Sequence, residues 1–141
     1  MADTETRYLV FVMLGRRYAF DLIHVAEVCE PPRLWPIPTA PRCYAGAMNF
    51  HGAIAAVMHL AEFLGLDGKD VAGKAIVLDS RIASLAFLVE NVLRIVPNGQ
   101  ASILPPPAEN HAQALLRLAD GDATLLDAAA IAARAAETIN G

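Results

Sequence analysis

Displaced by 67 positions, the chain matches itself: Leu9-Val10-Phe11 falls on Ile76-Val77-Leu78, Ala19-Phe20 on Ala86-Phe87, Val25 on Val92, Val28 on Ile95 and Pro38 on Pro105, all without a gap. Beyond Pro38 the offset drifts by one or two residues, so that "NFHG" meets "LADG" at 118–121 and "AAVMHL" meets "ATLLDA". A repeat this long exceeds solenoid units of about 20–50 residues, so it constrains the chain to two similar lobes rather than an array. Within each copy the apolar runs are short and rich in β-branched and aromatic residues. "RYLVFVMLG" and "RYAFDLI", parted by "GRR", read as a hairpin. The expected fold is therefore mainly β: two small five-stranded barrel-like lobes, near 7–67 and 68–127. Leu9, Phe11, Phe20, Ile76, Leu78 and Phe87 are expected to face the lobe interiors.

Between these strands other elements are predicted. "HVAEVCE" spaces Val25 and Val28 three apart, which suits a short helical or irregular turn. "PPRLWPIPTAPR" places five prolines in twelve residues, too many for a helix or central strand, and predicts an extended crossing segment. On it, Leu34 and Trp35 are read as covering the seam between lobes, with Trp35 as a partner anchor the alternative. "AEFLGLDGKD" predicts a short helix closed by Gly65. The terminal "LLDAAAIAARAAETING" predicts a helix over about 127–139, opened by Asp127 and ended by Asn140-Gly141, with Leu125, Leu126 and Ile131 buried and Arg134 and Glu137 in solvent.

Several function classes are disfavoured by composition and motif. With 55% hydrophobic and 18% charged residues, the chain's 141 positions fit one domain with a sizeable core. A net charge of -4 offers no footprint for a polyanion, so nucleic acid is not an expected partner. The opening "MADTETRYLV" is polar and no apolar run approaches the ~20 residues of a membrane span, so a cytoplasmic protein without membrane insertion is expected. Cys29 and Cys43 lack C-x-x-C spacing and are read as reduced thiols. No P-loop, G-x-G-x-x-G or G-x-S-x-G occurs, so neither a catalytic residue nor a nucleotide cofactor is assigned. His51 and His59, with His24 or Cys29, fall short of the compact four-ligand spacing of a structural zinc site, and no metal is expected. Asp120 and Asp122 are read as hairpin-turn residues.

In its order of motifs the chain resembles the CheW family of bacterial chemosensory adaptors. That family runs "YAlpi..V.EV", a proline-containing crossing, then "G.iNlRG.ivpvidL...lG". This chain has "RRYAFDLIHVAEV", "PIPTAP" and "GAMNFHGAIAAVMHLAEFLG". "KAIVLDSRIASLAFLVENVLRIV", "LPPP" and "LLRLADGDATLLDAAAI" fit the second lobe, so the likeness covers nearly the whole chain. It implies two SH3-like barrel lobes, no enzymatic activity, and a scaffold that couples methyl-accepting chemoreceptor tips to the regulatory domain of a CheA-type histidine kinase in a two-component chemotaxis pathway. By position, the implied receptor groove comprises Val25, Glu27, Val28, Gly46 and Asn49, with His51 in the place of the family arginine. The family's acidic position in "vidL" is His59, its following arginine is Ala61, and its preceding proline falls at Ala55 or Ala56. A guanidinium holds a carboxylate through two charge-assisted hydrogen bonds, whereas an imidazole offers one donor. Two alternatives follow: a divergent adaptor of a pilus or surface-sensing pathway that has lost one partner, or a small-molecule-binding regulatory domain with its pocket between the lobes.

Overall fold

The computed structural model describes residues 5–68 and 71–140. Strand β1 (Arg7–Met13) turns at Leu14-Gly15, both left-handed with φ of 52° and 74°, into β2 (Arg16–Asp21). Asp21 then caps a 3-10 turn at Leu22–His24 by accepting from Ile23 N, and β3 (Val25–Cys29) follows. This corrects the turn expected there. β3 pairs with β6 (Lys74–Leu78), and the register slips between Val25 and Glu27. A bulge of this kind inserts one residue and breaks period-two alternation, which is why Val25 and Val28 stand three apart in a strand.

The proline segment crosses to β4 (Tyr44–Phe50), and a tight turn at His51-Gly52 leads into β5 (Ala53–His59) and the short α1 (Leu60–Phe63). Gly65 beyond it is left-handed at φ 74°, as expected of a helix terminator. After β6 come β7 (Leu85–Val89), β8 (Asn91–Pro97), β9 (Ser102–Leu104), β10 (Ala112–Leu118), β11 (Gly121–Leu126) and α2 (Ala128–Asn140). The Asp127 carboxylate accepts from Ala130 N at 3.0 Å, an N-cap, and Ile131 is fully buried. Gly141, read as part of the helix stop, lies outside the described residues.

Two sheets result. One has six strands in the order β8-β1-β2-β11-β10-β9, the other five in the order β3-β6-β7-β5-β4. Under the sequence offset β3, β6, β7, β5 and β4 map onto β8, β1, β2, β11 and β10, so the two orders are the same. Even the parallel pair recurs, β5 with β7 and β11 with β2. The sixth strand, β9, has as its counterpart a single bridge between Trp35 and Ala47. The sheets do not coincide with the halves of the repeat: each half lends its first hairpin to the sheet of the other. Self-comparison identifies equivalent segments, not the strands with which they pair.

This exchange relocates the large apolar residues. Leu9, Phe11, Phe20, Ile76, Leu78 and Phe87 do not face separate lobe interiors; together with Met13, Met58, Leu126 and Ile131 they form one core between the sheets. Alternation sends their neighbours the other way. Val10, Ala19 and Leu116 fill the rolled six-stranded sheet, and Val77, Ala86 and Val57 the five-stranded one. The small residues at Ala19 and Ala86 suit these tight interiors, while the phenylalanines take the wider space between. The rings of Phe20 and Phe87 stand 5.6 Å apart. Equivalent residues that touch each other mark the axis relating the two lobes.

Candidate functional site

β3 and β4 are opposite edges of the five-stranded sheet, yet Glu27 on β3 and His51 at the end of β4 meet, Oε1 to Nε2 at 3.2 Å. The sheet is therefore rolled until its edges nearly close, and this contact laces the seam. His51 is placed by its turn: it is left-handed at φ 50°, Gly52 at 85°, and the Asn49 side chain accepts from Gly52 N at 3.0 Å. A two-residue turn with both φ positive matches the twist of its flanking strands. The His51 side chain is 73% exposed and its ring lies 4.3 Å from that of Phe50.

The other lobe repeats the device with opposite chemistry. Arg94 on β8 is the offset equivalent of Glu27, and its Nη2 reaches Asp120 Oδ1, in the β10–β11 turn, at 2.8 Å. Arg17 Nη1 stands 3.0 Å from the same oxygen. These guanidinium groups, Arg94 foremost, hold the Asp120 carboxyl down at about 2. Asp122 is bonded by Arg117 at 3.2 Å. The two aspartates, expected to act only as turn residues, also close ion pairs.

Beside Glu27 and His51 lies a hollow of about 170 Å³ lined by Ala26, Phe50, Ile54, Val77, Ala83 and Leu85, among others. Ile54, 67% exposed, contributes apolar surface to its wall. Asp79 and Ser80 line one side, and Asp79 is held at about 2 by hydrogen bonds from the Arg81 side chain and backbone. A polar rim around an apolar depression is the arrangement of a protein-binding patch.

The six residues singled out from sequence separate accordingly. Glu27, His51, Asn49 and Val28 gather at or beside the seam, Asn49 as a turn-former. Val25 is half-buried and packs on the central core. Gly46 is buried, and a side chain there would meet Trp35 O at 2.6 Å, so it is a close-approach position beneath the proline segment rather than exposed surface. Trp35, read as a core cap, is 48% exposed with the Arg33 guanidinium 5.8 Å over its ring; Leu34 points inward instead. Sequence reasoning missed Ala26, Phe50 and Ile54. Ile54 carried a signal, being an apolar residue out of phase with the buried Ala55 and Val57. His59 lies at the start of α1, donating its N–H to Cys43 O at 2.7 Å, and Ala61 is buried. Among the described residues no three His, Cys, Asp or Glu side chains gather as a metal site, and no helix is long and apolar enough to cross a membrane.

Comparison with known proteins extends this geometry. The sequence model of the CheW-like domain matches residues 7–136. Chemotaxis protein CheW of Thermotoga maritima is 28% identical over 93 residues, covering 65% of this chain and 62% of that protein, so the match spans less than two thirds of the relative's length. The crystal structure of the scaffolding protein TtCheW from Thermoanaerobacter tengcongensis superposes with a TM-score of 0.74, covering 88% of this chain and 90% of that one, at 21% identity. That level of identity establishes likeness of fold.

Proposed function

The chain belongs to the CheW-like domain family, and on that premise we propose that it is a non-enzymatic adaptor that docks chemoreceptor tips and the regulatory domain of a CheA-type histidine kinase at once. The observation that carries this reading is the meeting of Glu27 and His51 at the seam of the five-stranded sheet, 3.2 Å apart, beside an apolar hollow that exposed Ile54 lines. Glu27 and His51, distant in sequence and named by their place in the family pattern, meet on the exposed surface, whereas Val25 and Gly46 lie inside.

An adaptor of this kind acts through binding free energies alone. Holding receptor and kinase together raises the kinase's local concentration near the receptor, and unequal affinity for two receptor states passes a population shift to the kinase. Glu27 and His51 supply the polar rim, Ile54 and the adjoining hollow the apolar anchor. With histidine in the family arginine's place, the Glu27 carboxylate gains one donor rather than two and remains more available to a partner's cation or N–H.

Affinity purification of the tagged full chain from its native host, with mass spectrometry of the eluate, tests the reading. A histidine kinase bearing a domain of this fold, recovered with chemoreceptors, is the expected result. Recovery of neither overturns it.

A further inference from the structure

The segments Arg42-Cys43 and Asn110-His111 are equivalent, at an offset of 68, and each anchors the start of a helix in the same way. Cys43 O accepts from His59 N at 2.7 Å, and His111 O from Asp127 N at 2.9 Å. Between them lies a cleft of about 660 Å³, within the ~300–1,000 Å³ range of small-molecule sites. The symmetry fails most visibly in the helices. α1 has four residues where α2 has thirteen, and the longer helix adds a wall carrying Arg134.

The chemistry of the walls is uneven. Arg42, Arg134, His111 and Asn110 present donors, and Glu62 is the one carboxylate among the described lining residues. Arg42 is barely held: its Nε is 4.0 Å from Glu62, beyond hydrogen-bond distance, and its side chain is 96% exposed. Arg134 engages Glu137 through Nη1 at 3.0 Å, leaving its other nitrogens for a ligand. The Phe63 ring and the His111 imidazole are stacked nearly parallel, 25° between planes and 6.1 Å between centroids, an aromatic pair in the wall of the cleft. His111 holds that position with a left-handed backbone, φ 62°. Burial, the largest influence on it, pushes the Cys43 thiol up.

We propose that this cleft binds a small organic anion bearing a planar ring, with its carboxylate or phosphate taken by Arg42 and Arg134 and its ring laid on the Phe63–His111 pair. A guanidinium grips either anion through paired charge-assisted hydrogen bonds, and a ligand anion replaces only the loose Arg42–Glu62 contact. None of the cleft's lining residues belongs to the Glu27–His51 patch, so the site is independent of the adaptor reading. Its walls come from both halves of the repeat and from α2, so an occupant braces the terminal helix against the body of the protein. Nucleoside monophosphates and aromatic carboxylates share the required chemistry.

Isothermal titration of the full chain with AMP, GMP, benzoate and 4-hydroxybenzoate, alongside adenosine and inorganic phosphate, tests the proposal. Binding is expected for at least one compound that joins ring and anion, at least tenfold tighter than for adenosine or phosphate; whichever anion binds tighter identifies the source. The paired substitution Arg42→Ala/Arg134→Ala is expected to weaken that binding tenfold or more with an unchanged circular dichroism spectrum. His111→Asn, which removes the imidazole but tolerates the left-handed backbone, is expected to weaken it several-fold. Absence of heat with all four ring-bearing anions, phosphate or adenosine binding as tightly as they do, or undiminished binding by Arg42→Ala/Arg134→Ala overturns the proposal.

Discussion

Gly46→Ala separates two roles that this glycine's position allows, contact with a partner and clearance for the chain's own backbone. The added methyl group would stand 2.6 Å from Trp35 O, roughly 0.8 Å inside ordinary van der Waals range, and 3.1 Å from the Leu34 side chain. The carbonyl it meets accepts from Ala47 N at 2.7 Å, and the same residue's N–H donates to Ala47 O at 2.8 Å. The proline segment must either accept the overlap, at about 1–3 kcal/mol for overpacking, or withdraw and lose both bonds at about 1 kcal/mol each. Gly46 also has φ 149°, where a residue with a Cβ adds strain of its own. A loss of about 2–4 kcal/mol follows, seen as a melting point roughly 6–12 °C lower for a chain of this size. Gly52→Ala is the control. At φ 85° it bears backbone strain alone, about 1–2 kcal/mol, because no atom lies within 4 Å of the added carbon. Urea unfolding of parent and both variants decides the matter. A Gly46→Ala chain within ~0.5 kcal/mol of the parent, or no less stable than Gly52→Ala, refutes the clearance argument and returns Gly46 to the partner surface.

Phe20→Ala and Phe87→Ala, at equivalent sites on the lobe axis, are each expected to cost about 3–5 kcal/mol in denaturant titrations. The double variant should lose less than their sum, because the rings touch; strict additivity contradicts the shared core. The Asp120 carboxyl, held at about 2 mainly by Arg94 and then by Arg17, stabilises the fold above the ordinary carboxylate value of about 3.9, a contribution lost as pH falls through about 2. Melting curves of Asp120→Asn should therefore lie below the parent's at neutral pH and converge with them near pH 2, and a gap independent of pH contradicts this. His51→Ala, at an exposed turn, should melt within ~0.5 kcal/mol of the parent. Against a receptor hairpin fragment Glu27→Arg should weaken binding and His51→Arg strengthen it, and equal affinity of parent, Glu27→Arg and His51→Arg removes the seam from the interface.

The repeat was legible because equivalent positions keep their side-chain class, and Phe20 and Phe87 do occupy equivalent places. Which strands share a sheet was not, since a hairpin packs equally well by pattern on either half, and only the tertiary structure reveals the exchange. β3 was hidden by its bulge, which made Val25 and Val28 look helical. The proximity of Glu27 and His51 was legible from family position, and the sheet geometry explains it through rolled edges. The partition of Leu34 inward and Trp35 outward was not, because in an extended segment neighbouring side chains take opposite sides and only the register with Ala47 fixes which. The arginine-lined cleft escaped notice altogether. Its residues come from four separate segments, and no one segment signals the cleft.

An adaptor must bridge its two partners, and co-sedimentation measures bridging directly. Receptor hairpin fragments displayed on vesicles are spun down with a CheA-type regulatory domain in the presence and absence of this chain. The kinase domain is expected in the pellet only when the chain is present, and Glu27→Arg should leave chain and kinase domain together in the supernatant. Recovery of the kinase domain at the same level without the chain, or a chain that binds one partner only by displacing the other, contradicts the adaptor reading.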